Sequence, residues 1–76
     1  MKIVDVWEQN KDTFAYCIGD GIGADFSCKK ISSNGTTYNV EGFDVMTSIS
    51  GNVGVVLKIA RNSGKELQNG PFQIVN

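Results

Sequence analysis

Val53-Gly54-Val55-Val56-Leu57-Lys58-Ile59 is followed, after seven intervening residues, by Leu67-Gln68-Asn69-Gly70-Pro71-Phe72. The first stretch alternates strictly. Val53, Val55, Leu57 and Ile59 fall on one face and Gly54, Val56 and Lys58 on the other, the pattern of a strand with one side buried. The second stretch is a turn that opens a short strand. Pro71 has no N–H to give a ladder, so it belongs at a strand start or a sheet edge.

Moving upstream, the same period of two recurs between turn signals spaced about ten residues apart, the rhythm of an all-β sandwich or barrel. Strands are expected at residues 2–8, 13–19, 25–32, 37–46 and 53–59, with a closing strand at 72–75. In the second of these Phe14, Tyr16 and Ile18 share one face and Ala15 and Cys17 the other. Asn34-Gly35 is a strong hairpin signal, because a type I′ turn needs positive φ at both central residues. The fourth strand changes phase part-way: Tyr38 and Val40 lie on one face, Phe43 and Val45 on the other. A one-residue shift at Glu41-Gly42 turns all four inward, which is the effect of a β-bulge. No window carries a helical apolar period. There is no composition break, linker or repeat, so residues 1–76 are expected to form a single closed antiparallel barrel of six strands.

Composition narrows the function classes. The chain has 76 residues, a net charge of −1 and 41% apolar content, enough for one core. The weakly acidic balance argues against a protein that holds nucleic acid by a basic surface. Lys29, Lys30, Lys58, Arg61 and Lys65 nevertheless lie where a local basic patch could gather, and Trp7 and Tyr38 are aromatics able to anchor a partner or stack on a base. These seven residues form the candidate interaction surface. The competing reading gives the aromatics to the core and the lysines to solvated strand ends. No stretch nears the roughly 20 apolar residues of a membrane helix, and the opening residues do not read as a secretory leader. The expected setting is cytoplasmic.

Several stretches resemble the domain 2 β-barrel of translational GTPases, the elongation factor Tu family. Gly51-Asn52-Val53-Gly54-Val55-Val56-Leu57-Lys58 resembles that family's G-D-x-V-G stretch, which runs on through two hydrophobic residues to L-[RK]. Leu67-Gln68-Asn69-Gly70-Pro71-Phe72 resembles the I-x-R-G-x-V that follows it. Residues 37–46 are similar to the strand before the family's Ala-Gly-Asp loop, Val4-Asp5-Val6-Trp7 to its V-x-D-V-F start, and Ile18-Gly19 to its T-G-x-[VI]. The chain departs from the family in having Asp12-Thr13 for Gly-Thr and Asn52 for an acidic residue. Its loop before Gly51 is also shorter, and the G-x-[VI]-x-x-G-[DE] signature survives only as Gly21-Ile22-Gly23-Ala24-Asp25. The resemblance implies a rigid platform of the kind that sits beside a GTPase domain and touches ribosomal or transfer RNA. The phosphate loop G-x-x-x-x-G-K-[ST] is absent, so no nucleotide site is expected.

Catalytic readings fare poorly. Gly19-Asp20-Gly21-Ile22-Gly23 lacks the following helix whose N-terminus would hold a pyrophosphate. Cys17 and Cys28 have no histidine to serve as base or to complete a metal shell, and read as half-buried thiols, with a cross-strand disulfide as the alternative. Asp20, Asp25 and Asp44 read as turn makers rather than cation ligands. The expectation is a non-catalytic binding module without cofactor or metal, most of all for a protein partner, and monomeric or weakly dimeric. The alternatives are an RNA- or ribosome-associated module and an accessory subunit of an enzyme. An edge left free at residues 72–75 would favour dimerisation.

Overall fold

The alternation seen in the sequence carries into the computed structural model, which describes residues 1–60 and 66–75. Its strands are β1 (Lys2–Gln9), β2 (Asp12–Ile18), β3 (Lys30–Ser33), β4 (Thr36–Thr47), β5 (Val53–Ile59), β6 (Gly70–Pro71) and β7 (Gln73–Val75). All pairings are antiparallel, and the strand order is β6-β1-β2-β5-β4-β3-β7. The described residues contain no helix.

The two ends of that order, β6 and β7, are neighbours in the chain. β6 pairs with β1 through Pro71 opposite Lys2, and β7 pairs with β3 through Ile74 opposite Ile31. The sheet therefore curls until its edges meet at Phe72, giving a nearly closed, barrel-shaped sheet of seven strands. The expected closing strand is interrupted at Phe72, which drops its ring into the core. Its N–H donates to the Met1 carbonyl at 3.2 Å, and Ser33 Oγ donates to the Pro71 carbonyl at 3.2 Å. Each half of this strand is paired, Gly70–Pro71 with β1 and Gln73–Val75 with β3, so it bridges the two ends of the sheet.

The Asn34-Gly35 turn forms as read, with φ of 52° and 79°, joining β3 directly to β4. The phase change in β4 is also present. Its pairing with β5 shifts register between Val40 and Gly42, and the strand changes partner there. Before the shift β4 pairs with β3; after it, β4 follows β5 to Thr47.

The third strand is much shorter than expected. Only Lys30–Ser33 pairs, and residues 21–29 are turn and irregular chain, with one turn closed by the Phe26 N–H to the Gly23 carbonyl at 3.0 Å. The reason lies in phase. A continuous strand would put Phe26 and Cys28 on one face and Ile31 on the other. All three are buried, and only a break in the strand between 28 and 31 allows that. On β2 the small residues face inward. Thr13, Ala15 and Cys17 are buried opposite Ile59, Leu57 and Val55, while Phe14, Tyr16 and Ile18 face outward. A narrow barrel interior accepts large side chains from some strands only if others supply small ones.

Candidate binding groove on the outer face

Register across β1, β2, β5 and β4 sets the outer surface in rows. Trp7, Phe14, Lys58 and Gly42 form one row, and Asp5, Tyr16, Val56 and Asp44 the next. Cross-strand neighbours on one face lie close enough for their side chains to interact. Trp7 stacks on Phe14 with ring centroids 5.8 Å apart and planes 17° from parallel. Tyr16 lies over Gly54, where an added Cβ would come within 2.5 Å of the phenol oxygen. The glycine at this outward position of β5 thus lets an aromatic ring lie flat against the strand.

Between the aromatic row and β4 is a groove of about 290 Å³ lined by Phe14, Gly42, Phe43, Asp44, Val56 and Lys58. Gly42 opens it, since nothing lies within 4 Å of where its Cβ would stand. Phe43 is held by an edge-on contact with Phe26, with centroids 5.2 Å apart. Lys58 Nζ is drawn to Asp12 Oδ2 at 3.8 Å, which keeps the ammonium on one rim, while Asp44 stands exposed on the other strand. An apolar floor with separated charges of opposite sign is suited to seating an apolar side chain and orienting the polar groups around it.

The residues expected to form an interaction surface are dispersed. Trp7 lies on the outer face, half-buried against Phe14. Tyr38 is a correction: it is buried, opposite Ile31, and belongs to the core. The phase of β4 demands this, because Tyr38 precedes the bulge that turns Phe43 and Val45 to the same side. Lys29 and Lys30 are exposed at the start of β3, and Lys58 stands on β5, so β4 runs between Lys30 and Lys58. Arg61 and Lys65 lie outside the described residues. The sequence puts none of Phe14, Gly42, Asp44 and Val56 in a site; Asp44, expected to make a turn, lies inside β4 opposite Val56. Their signal was present in the outward phase of β2 and β5, but which phase faces out was unknown until the inner face was filled.

Cys17 and Cys28 are both buried and unpaired by any disulfide, where the sequence suggested half-buried thiols. Burial, reinforced by the neighbouring Cys28, pushes the Cys17 thiol up to about 12. Burial also raises that of Cys28, whose Sγ–H donates to the Lys30 carbonyl at 3.4 Å. Thiols held neutral in this way are poor nucleophiles and poor metal ligands. Among the described residues no cluster of three or more His, Cys, Asp or Glu could hold a metal ion, and no helix is long and apolar enough to cross a membrane. No protein family, curated protein or solved structure matches the chain.

Proposed function

We propose that this chain is a non-catalytic binding module whose outer-face groove docks a protein partner. The observation that carries the reading is the groove itself. Phe14 and Val56 make an apolar slot beside Phe43, opened by the absence of a side chain at Gly42 and bordered by Lys58 and Asp44. The barrel interior, in contrast, is occupied by its own side chains, including Leu57, Ile59, Ile31 and Phe72. The scaffold is in our reading a six-stranded barrel of the elongation factor Tu domain 2 kind. Counting β6 and β7 as one strand broken at Phe72 brings the number to six, and the bulge at Gly42 falls in the strand that resembles the family. Two buried free thiols suit a reducing, cytoplasmic setting.

A second reading, an RNA-associated module, draws on Lys30 and Lys58 flanking β4 and on the Trp7–Phe14 stack beside Lys58. The two readings separate in one experiment. Tagged wild-type chain and a Val56→Lys variant are used to capture partners, and the captured species is then titrated against each. A protein partner should bind the variant at least tenfold more weakly, about 1.4 kcal/mol, while both chains melt at similar temperatures. An RNA partner should instead bind the variant as well or better, and its mobility shift should weaken steeply as salt rises. Equal protein binding by both chains, or none by either, overturns the groove.

A further inference from the structure

β3 leaves β4 at Asn39, and the last contact on that side is the Val40 N–H to the Lys29 carbonyl at 2.9 Å. Past the bulge, β4 is paired with β5 on one side only; among the described residues no strand pairs with the other side of residues 43–47. A strand edge of this kind is a template for another strand unless it is blunted by lysine, proline, an inward charge or a covering segment. Residues 43–47 read Phe43-Asp44-Val45-Met46-Thr47 and carry neither lysine nor proline, and their single charge points outward. All five are exposed. Of the five large apolar residues exposed among the described ones, four, Phe43, Val45, Met46 and Ile49, lie here or in the adjoining turn, Met46 at 53% and Ile49 wholly in solvent, and the fifth, Val75, ends β7.

We propose that this edge pairs with the same edge of a second copy, antiparallel about Val45, so that one sheet runs through two barrels. The register follows from the side chains. A two-fold axis normal to the sheet keeps outer faces together, so only residues of the same parity can be opposed. Centring on Asp44 would set two carboxylates face to face, which is destabilising. Centring on Met46 would oppose Phe43 to Ile49, beyond the end of the strand at Thr47. Centring on Val45 keeps every pair inside the unpaired run. Val45 meets its own copy, Phe43 meets Thr47, and Asp44 meets Met46, with no like charges opposed. The edge is therefore complementary to itself. A five-residue strand pair is a small contact, so the dimer should be weak and concentration-dependent. It does not depend on the groove binding a partner.

Sedimentation velocity from micromolar to about 1 mM, a span that covers weak association, should show reversible dimerisation of the wild-type chain. Met46→Asp sets a carboxylate against Asp44 of the other copy and should raise the dimer Kd at least tenfold. Met46→Lys sets an ammonium there and should lower it severalfold. Met46 is exposed, so both variants should melt close to wild type. Val45→Cys under oxidised glutathione should give a covalent dimer faster than Ile49→Cys, because only position 45 meets itself. Val56→Lys should leave the dimer unchanged, which separates this result from failure of the groove. A strictly monomeric wild type overturns self-pairing and leaves the edge to a strand from another protein. Met46→Asp and Met46→Lys shifting Kd in the same direction, or Ile49→Cys cross-linking as fast as Val45→Cys, overturns the register.

Discussion

Lys11 is held at φ 70° and Asn10 at φ 54°, so the two residues between β1 and β2 turn with both central residues left-handed. Asparagine tolerates that region; lysine does so at a cost of about 1–2 kcal/mol. The corresponding position in the β3–β4 hairpin is Gly35, at φ 79°. Lys11→Gly should raise stability by roughly 0.5–1 kcal/mol, the relief of strain being partly offset by the greater freedom of glycine in the unfolded chain. Urea denaturation at neutral pH measures this, and a loss of stability would show that the Lys11 side chain makes contacts worth more than its backbone strain. The Asn34-Gly35 turn was legible because its residue types state the backbone conformation. Residues 9–12 read as a polar turn, but not as this type of turn, because Lys11 is not a residue that prefers the conformation it adopts.

At the scale of the element, legibility followed phase. The alternation of β5 is unbroken, and its boundaries match those read from the sequence. The bulge in β4 could be inferred because apolar residues changed parity at a glycine. The same argument was available for residues 25–32, where Phe26 and Cys28 differ in parity from Ile31, but a break there required knowing that all three are buried. The split closing strand had no local signal, since Phe72 is pulled inward by the barrel and not by its neighbours in the chain. Phe72→Ala removes a ring that is 4% exposed at the seam between β6 and β7. Such a deletion costs about 3–5 kcal/mol. For a 76-residue chain whose whole stability is on the order of 4–11 kcal/mol, the variant should be partly or wholly unfolded at 37 °C by circular dichroism. Phe72→Leu should stay folded with a smaller loss. A change below about 1 kcal/mol for the alanine variant would mean that the seam closes without the ring.

For the whole molecule, closure puts two thiols in an interior that disfavours their ionised form. The Cys17 thiol is raised to about 12 by burial and by the neighbouring Cys28. In the unfolded chain it ionises near about 8.5. Below that pH both states hold the proton and the contribution to stability is whole. Above it the unfolded chain releases a proton that the folded chain keeps, so stability falls by up to about 1.4 kcal/mol per pH unit until the folded thiol also ionises. Unfolding free energies measured from pH 7 to 10.5 should decline above pH 9, and Cys17→Ala should flatten the decline while lowering stability at pH 7. An unchanged slope in that variant would assign the decline to other groups. The groove belongs to this scale too. Phe14 from β2, Val56 and Lys58 from β5, and Gly42 and Asp44 from β4 come together only through the pairing of three strands.

The sequence by itself determined the antiparallel all-β class, the place of the fifth strand, the Asn34-Gly35 hairpin and the bulge at Gly42. Each of these is written in residues a few positions apart, by side-chain alternation or by the backbone preference of a turn. Only the tertiary structure decided which phase of each strand is core, that Tyr38 is inside and Phe14 outside, and that the chain breaks strand at 28–31 and again at Phe72. It alone showed that, among the described residues, β4 has a strand on one side only after its bulge. Alternation separates two faces without saying which one meets other strands. That choice is made when distant segments compete for one small interior, where burying Ile31, Leu57 and Phe72 together leaves β2 room only for small side chains.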